Sequence, residues 1–276
     1  METILEDKAL VLHTEDYTAL VITDLHLGYE VDLTNRTGAI FPSQHQNMLQ
    51  RLENLIEKYG VEKICILGDI KHTITVDSQY NWEVIPEFMN AISKLGEVII
   101  IPGNHDGDLR ALLPRHAKIC DVRGMVIEND IDSVGLMHGH AWPSVDLLET
   151  KVLVAGHNHP TVRRLKNVSS PKIGRPERYR SADIVPVVLR SNLDKNCVRN
   201  HLGALNLDEE DKGILVTLPS FNELITGVYV NRPDFGLIGP LFDNGCADFP
   251  TSEVYSVDGI YLGTIESLQN QFDATK

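Results

Sequence analysis

Leu20-Val21-Ile22-Thr23-Asp24-Leu25-His26 is the stretch on which the reading of this chain turns: an apolar, β-branched run that ends in a carboxylate and an imidazole. The pattern recurs four times. Residues 64–67 lead into Gly68-Asp69, residues 98–101 into Gly103-Asn104-His105-Asp106, residues 134–137 into His138-Gly139-His140, and residues 152–155 into Gly156-His157-Asn158-His159. Short apolar runs bounded by Gly, Asp and Asn predict buried strands. Metal-binding side chains are thus delivered repeatedly to strand ends, where open α/β sheets place their sites.

The number and kind of these groups define a cage. Two ions a few ångströms apart, sharing one carboxylate, need about seven protein groups and leave positions open for water and substrate. Asp24 and His26, two residues apart on an extended segment, are expected to leave one face and grip one ion. His157 and His159 repeat that spacing. Asp69, alone after its glycine, is the natural bridge. Mixed Asp, Asn and His ligation without thiolate suits manganese, iron or zinc, and argues against calcium or a structural zinc site.

Around the motifs the organisation is regular. Ser43, with Gln46 three residues on, predicts a helix start of the capping-box type. Met48, Leu52, Leu55, Ile56 and Tyr59 then mark one apolar face, and Gly60 ends it. A second helix is expected over 82–94, with Pro86 near its start. Strand–helix–strand alternation through residue 105 predicts a mostly parallel sheet. After Arg123 come short strands at 125–128, 133–137 and 152–155, the first pair joined by a turn at Asn129-Asp130. Residues 161–212 are polar and proline-punctuated, and read as an insertion or flexible excursion within a single domain spanning 1–276. Strands expected at 214–218, 228–231 and 253–265, the last with a turn at Asp258-Gly259, close a second sheet.

Composition sets the class. With 276 residues, 42% of them hydrophobic, the chain can bury a sizeable core. No apolar run approaches the length of a membrane helix, and the opening residues lack a signal-peptide pattern. Cys65, Cys120, Cys197 and Cys246 are scattered without metal-type pairing, so a reducing, cytoplasmic setting is expected. The formal net charge of −14 repels polyanions at long range. Against it stands a local run, Arg163, Arg164, Lys166, Lys172, Arg175, Arg178 and Arg180, opposed only by Glu177. Such a run either tracks a polynucleotide backbone or is solvated surface.

As a set, the five motifs resemble the calcineurin-like metallophosphoesterase superfamily. Gly68-Asp69-Ile70-Lys71-His72 is similar to the Gly-Asp-x-x-His form of the SbcD-type repair nucleases and their short archaeal relatives. Leu218-Pro219-Ser220-Phe221-Asn222 and residues 255–263 resemble the same relatives. The resemblance implies an α/β fold of two packed mixed β-sheets flanked by helices, an αββα sandwich. It also implies two divalent metal ions, manganese first, with iron or zinc as alternatives. One ion would be held by Asp24, His26, Asp69 and His159, the other by Asp69, Asn104, His138 and His157. His105 matches the general acid, with Asp106 orienting its imidazole or raising its pKa. His72 would contact the phosphodiester. His140 would support His138 or reach the substrate, and Arg163 and Arg164 would bind it.

The implied reaction is hydrolysis of a phosphodiester, in nucleic acid (single-stranded nucleic acid included) or nucleotides, by water activated between two cations. The capping domain and ATPase-binding segment of the full-length repair nucleases are not evident in the sequence. Nor is the Gly-Asp-x-x-Asp-Arg-Gly signature of serine/threonine phosphatases, since Ile70-Lys71-His72 stands there. A phosphohydrolase of a small metabolite and a non-catalytic scaffold are the alternatives. The presence of His105 argues against the scaffold.

Overall fold

The computed structural model describes residues 1–74, 79–128, 133–165, 182–205 and 211–274. Six strands form the first sheet in chain order: β1 (Glu2–Glu6), β2 (Ala9–His13), β3 (Thr18–Thr23), β4 (Lys63–Leu67), β5 (Glu97–Ile101) and β6 (Lys118–Ile119). The first three are antiparallel neighbours, and β3 through β6 run parallel. Parallel neighbours need crossovers, and helices supply two of them. The helices α1 (Tyr29–Thr37) and α2 (His45–Tyr59) join β3 to β4, and α3 (Gln79–Ile92) joins β4 to β5.

The second sheet takes the rest of the chain. Its strands are β7 (Met125–Glu128), β8 (Ser133–Leu136), β9 (Val152–Ala155), β10 (Pro160–Leu165), β11 (Ala182–Asp194), β12 (Lys212–Thr217), β13 (Val228–Tyr229), β14 (Glu253–Ser256) and β15 (Tyr261–Thr264). They lie in the order β13-β10-β11-β12-β9-β8-β7, with β14 also paired to β11 and carrying β15. Three helices accompany them: α4 (Lys195–Leu202), α5 (Pro240–Asp243) and α6 (Ile265–Ala274).

Strand alternation builds the layers. Leu20, Ile22, Ile64, Ile66 and Ile100 face the helices and meet Met48, Leu52, Phe88 and Met89. Val21, Leu67, Ile99 and Ile101 face the other way, against Val134, Leu136, Val154 and Val188 of the second sheet. On the far side of that sheet, Leu153, Leu193 and Leu215 cluster with Val198 of α4. The result is two packed mixed sheets flanked by helices. Each fully buried aliphatic side chain in these layers contributes roughly 1.5–3 kcal/mol.

Several expectations are corrected. The capping box does not form: α2 begins at His45, and the side chain of its Gln44 cap accepts no hydrogen bond from the first turn. The buried Glu30 takes over the junction, its Oε1 accepting from Ser43 Oγ (3.0 Å), Gln44 N–H (3.0 Å) and Tyr80 O–H (2.7 Å). The second helix starts at Gln79, so Pro86 lies in its interior and cannot donate to the carbonyl of Trp82. The stretch 161–212 is not merely an excursion: it contributes β10, α4 and the thirteen-residue β11. That strand carries buried Val187, Val188, Leu189 and Leu193 between β10 and β12. Its apolar run is interrupted by Arg190, Ser191 and Asn192, which hid it from a periodicity reading. The turn expected at Asn129-Asp130 lies outside the described residues. The cysteines are not all free, because Cys197 and Cys246 form a disulfide, while Cys65 and Cys120 are free thiols. Scattered cysteines therefore do not argue for a reducing compartment here.

Candidate metal centre

The C-terminal ends of β3, β4, β5 and β9 point at one place, and the loops that follow them are sewn together by their backbones. His26 N–H donates to Asp69 O (2.8 Å), Asp24 N–H to Gly68 O (3.1 Å), and Gly156 N–H to His138 O (2.9 Å). Ser220 Oγ donates to Asp24 O (2.6 Å), and Asn222 Nδ2 to Leu25 O (2.8 Å). The Leu218–Asn222 segment is thus the support under the first ligand loop. These two groups escaped the sequence reading, whose only signal for them was resemblance of the segment.

The ligand segments are not extended. Asp24 (φ 56°), His26 (42°), Asp69 (51°), His157 (69°) and His159 (43°) all adopt left-handed backbone. Asp24 and His26 still converge, but through a pair of left-handed residues rather than strand alternation. Gly156 answers a packing demand. A Cβ there would overlap Thr23 Oγ1 and come within 2.6 Å of Asp24 Oδ2.

Asp24 and Asp69 each have one carboxylate oxygen tied to a backbone amide and the other turned inward. Asp24 Oδ2 accepts from His157 N–H (2.9 Å), leaving Oδ1 3.0 Å from His138 Nε2 and 3.1 Å from His159 Nε2. Asp69 Oδ1 accepts from His105 N–H (2.9 Å), leaving Oδ2 3.6 Å from His26 Nε2 and from His138 Nε2. Three sets of ligand atoms gather within 4.8 Å of one another: Asp24, His26 and His159; Asp69, His138 and His157; and His26, His72 and His105. The family resemblance assigns the first two sets to different ions, and the third joins His26 to His72 and His105. Asn104 stands exposed on the turn beside His105.

Electrostatics fit cations. Both ring nitrogens of His26 are buried without a hydrogen-bond partner, an arrangement that costs free energy unless something else is bound. Burial holds the His26 imidazole well below its usual value. Burial, then the charge of His138, pushes His157 down to about 4. Neutral imidazoles are the metal-binding form. Burial works against ionisation of Asp24, but the neighbouring His159 and His138 outweigh it and keep this carboxyl well below the ordinary range. Asp69 is pushed up, chiefly by burial. Burial also opposes the charged form of His138, yet its bond to Asp24 and the surrounding carboxylates carry it upward. Orphaned nitrogens, inward carboxylate oxygens and low imidazole pKa values together fit divalent metal ions.

The expected catalytic residues fall in different places. His105 Nδ1 meets the backbone carbonyl of His72, which fixes the ring and leaves Nε2 facing the carboxylates, 4.0 Å from Asp69 Oδ2. His72 stacks on that ring at 5.8 Å and 24° and lies 3.4 Å from Asp32 Oδ2. Asp106 has its hydrogen bonds elsewhere: its carboxylate accepts from Ile70 N–H and Gly103 N–H, both 2.9 Å, clamping two ligand loops together. His140 Nδ1 lies 2.8 Å from His138 Nδ1, behind the metal-binding edge. Arg163 sits on β10, where its backbone N–H donates to Asn231 Oδ1 (3.0 Å). Arg164 is on the same strand, and the other five cations of the basic run lie outside the described residues.

A cavity of about 370 Å³ opens above the ligands. His26, His105, His157 and His159 form its floor, with Tyr29, Val228 and Ile238 on its walls. No lysine or arginine lines it among the described residues. Asn158, between two floor histidines, clips the Ile238 wall in place: its Nδ2 donates to Ile238 O (3.1 Å), and its Oδ1 accepts from Ile238 N–H (2.8 Å).

Such a floor, set at the strand ends of an αββα sandwich, defines a metal-dependent phosphoesterase. The calcineurin-like phosphoesterase family matches residues 17–195, and the chain belongs to that family. Among solved structures it is similar to the Pseudomonas putida nuclease MPE, at 22% identity over 94% of this chain and 93% of that one, with a TM-score of 0.52. It is also similar to the E. coli phosphoesterase Yfce, at 22% identity over 61% of this chain and 89% of that one, with a TM-score of 0.35. No curated protein matches it. No helix among the described residues is long and apolar enough to cross a membrane.

Proposed function

We propose that the protein is a dinuclear-metal phosphodiesterase, with Asp24, His26 and His159 on one ion, His138, His157 and Asn104 on the other, and Asp69 between them. The observation that carries this reading is the gathering of six side chains into two triplets, Asp24, His26 and His159 and then Asp69, His138 and His157, each with its ligand atoms within 4.8 Å of one another. Two divalent ions there, manganese foremost, would neutralise phosphate charge and lower the pKa of water. The chain's own residues do the rest. His105 turns Nε2 to the cavity with its other nitrogen held by a carbonyl, the geometry of a proton donor to a departing alkoxide. His72, stacked beside it, lies where a phosphoryl oxygen could accept a hydrogen bond.

The substrate class we propose is a phosphodiester in nucleic acid or nucleotides, in line with the nuclease to which the chain is similar along most of its length. A small diester is the second reading, favoured by the cation-free cavity lining and the net charge of −14. Hydrolysis of single-stranded oligonucleotides, cyclic nucleotides, bis-para-nitrophenyl phosphate and its monoester, with manganese after chelation, tests both. Diesterase activity restored by manganese is expected. Equal activity in the chelated enzyme would overturn the metal assignment, and turnover of the monoester alone would overturn the diester reading.

A further inference from the structure

On α4, Cys197 and His201 stand four residues apart, one helical turn, and so share a face. Cys246, brought in by the segment after α5, meets that face, and the Cα atoms of the two cysteines are 5.3 Å apart. The two sulfurs and a His201 ring nitrogen all lie within 4.8 Å of one another. The His201 ring is not adrift, for Trp142 stacks on it at 4.8 Å and 21°. Cys246 is fully buried in the apolar cluster that also holds Val198 and Leu215, with Cys197 at its edge. A disulfide uses the two sulfurs and leaves a fixed imidazole beside them unexplained.

We infer that Cys197, His201 and Cys246 form, once the disulfide is reduced, a second metal site for a soft divalent cation of the zinc class. Two thiolates and an imidazole are a zinc ligand set, with the fourth tetrahedral position open to water. A tetrahedral zinc ion separates its ligand atoms by about 3.6 Å, so reduction must first free the two sulfurs to part to that distance. The chemistry balances with a dithiol as reductant. The S–S bond takes two electrons and two protons from the dithiol, which closes to its own disulfide. The two thiols then lose two protons to the medium as the dication binds, giving a site of no net charge. The oxidised protein keeps the covalent tether, and the reduced protein replaces it with a metal clip between the same elements. The site contains none of the phosphoesterase groups and stands or falls apart from them.

Cobalt(II) added to the full chain gives a direct test, because thiolate-to-cobalt charge transfer cannot arise from the Asp and His groups of the phosphoesterase centre. A phosphine reductant avoids chelation by a dithiol. The expected result is a thiolate band that grows in the reduced protein to the intensity of one thiolate-bound cobalt per chain, is absent before reduction, and is displaced by zinc. His201→Ala, at an exposed position, leaves the fold intact. It should weaken zinc retention by more than the roughly 10–100-fold that residues merely orienting a ligand contribute. Cys197→Ser should abolish the band. No band in the reduced protein would overturn the inference, and so would a band and zinc affinity unchanged by His201→Ala.

Discussion

His105 and Asp106 are neighbours in sequence with separate tasks. His105→Ala should lower turnover of an unactivated diester by roughly 10²–10⁴, the usual share of general acid catalysis, with metal content unchanged. The loss should be smaller on para-nitrophenyl esters, whose leaving group hardly needs a proton. Equal losses on both, measured by steady-state kinetics, would assign the ring to charge stabilisation. Asp106 accepts its hydrogen bonds from backbone amides instead. Asp106→Ala strands the amides of Ile70 and Gly103, at about 1–3 kcal/mol for each buried donor left unpaired. A lowered denaturant midpoint together with lost metal affinity is expected. A variant that kept both and lost only rate would return Asp106 to the role of partner to His105. Residue types could nominate these groups, but the direction of a side chain depends on the loop beneath it.

At the scale of elements, the strands that carry ligands were legible because each is a short apolar run closed by Gly, Asp or His. The predicted runs at 64–67, 98–101 and 152–155 coincide with the ends of β4, β5 and β9. β11 was not legible, since exposed Arg190 and Asn192 and the buried Ser191 between them break the pattern. The Leu218–Asn222 support and the Asn158 clip were invisible for a different reason: their bonds go to backbone far away in sequence. The glycine of the last motif is more than a turn former. Gly156→Ala would drive a methyl against Thr23 and Asp24, and overpacking of this kind typically costs 1–3 kcal/mol. Isothermal titration with manganese should show weakened binding, along with a lower melting temperature. Unchanged affinity would mean that the β3 and β9 loops can separate without harm to the site.

On the scale of the whole molecule, the acidic surface and the basic run downstream of His159 act on different parts of binding. If Arg163, Arg164 and their neighbours follow a nucleic-acid backbone, their replacement by Gln should weaken oligonucleotide binding. The slope of log affinity against log salt should flatten by about 0.7 for each phosphate of a single strand that is no longer neutralised. Hydrolysis of bis-para-nitrophenyl phosphate should hold. A slope that does not move would make the run solvated surface and strengthen the small-diester reading. Charge is readable in any sequence. What it touches depends on where β10 and β11 carry it, and five of the seven cations lie outside the described residues.

The left-handed backbone at His26, His157 and His159 has a further consequence, for evolution as much as for chemistry. A bulky L-residue in that conformation costs about 1–2 kcal/mol, and a functional site can keep such strain only while the ligand repays it. Selection for the unligated fold alone would favour glycine at these positions. Stripped of metal, His159→Gly should therefore melt above the parent protein, and with manganese present the order should reverse. Calorimetry in chelator and in manganese would show the crossing. A parent that melts higher under both conditions would mean that these histidines carry no conflict between folding and function.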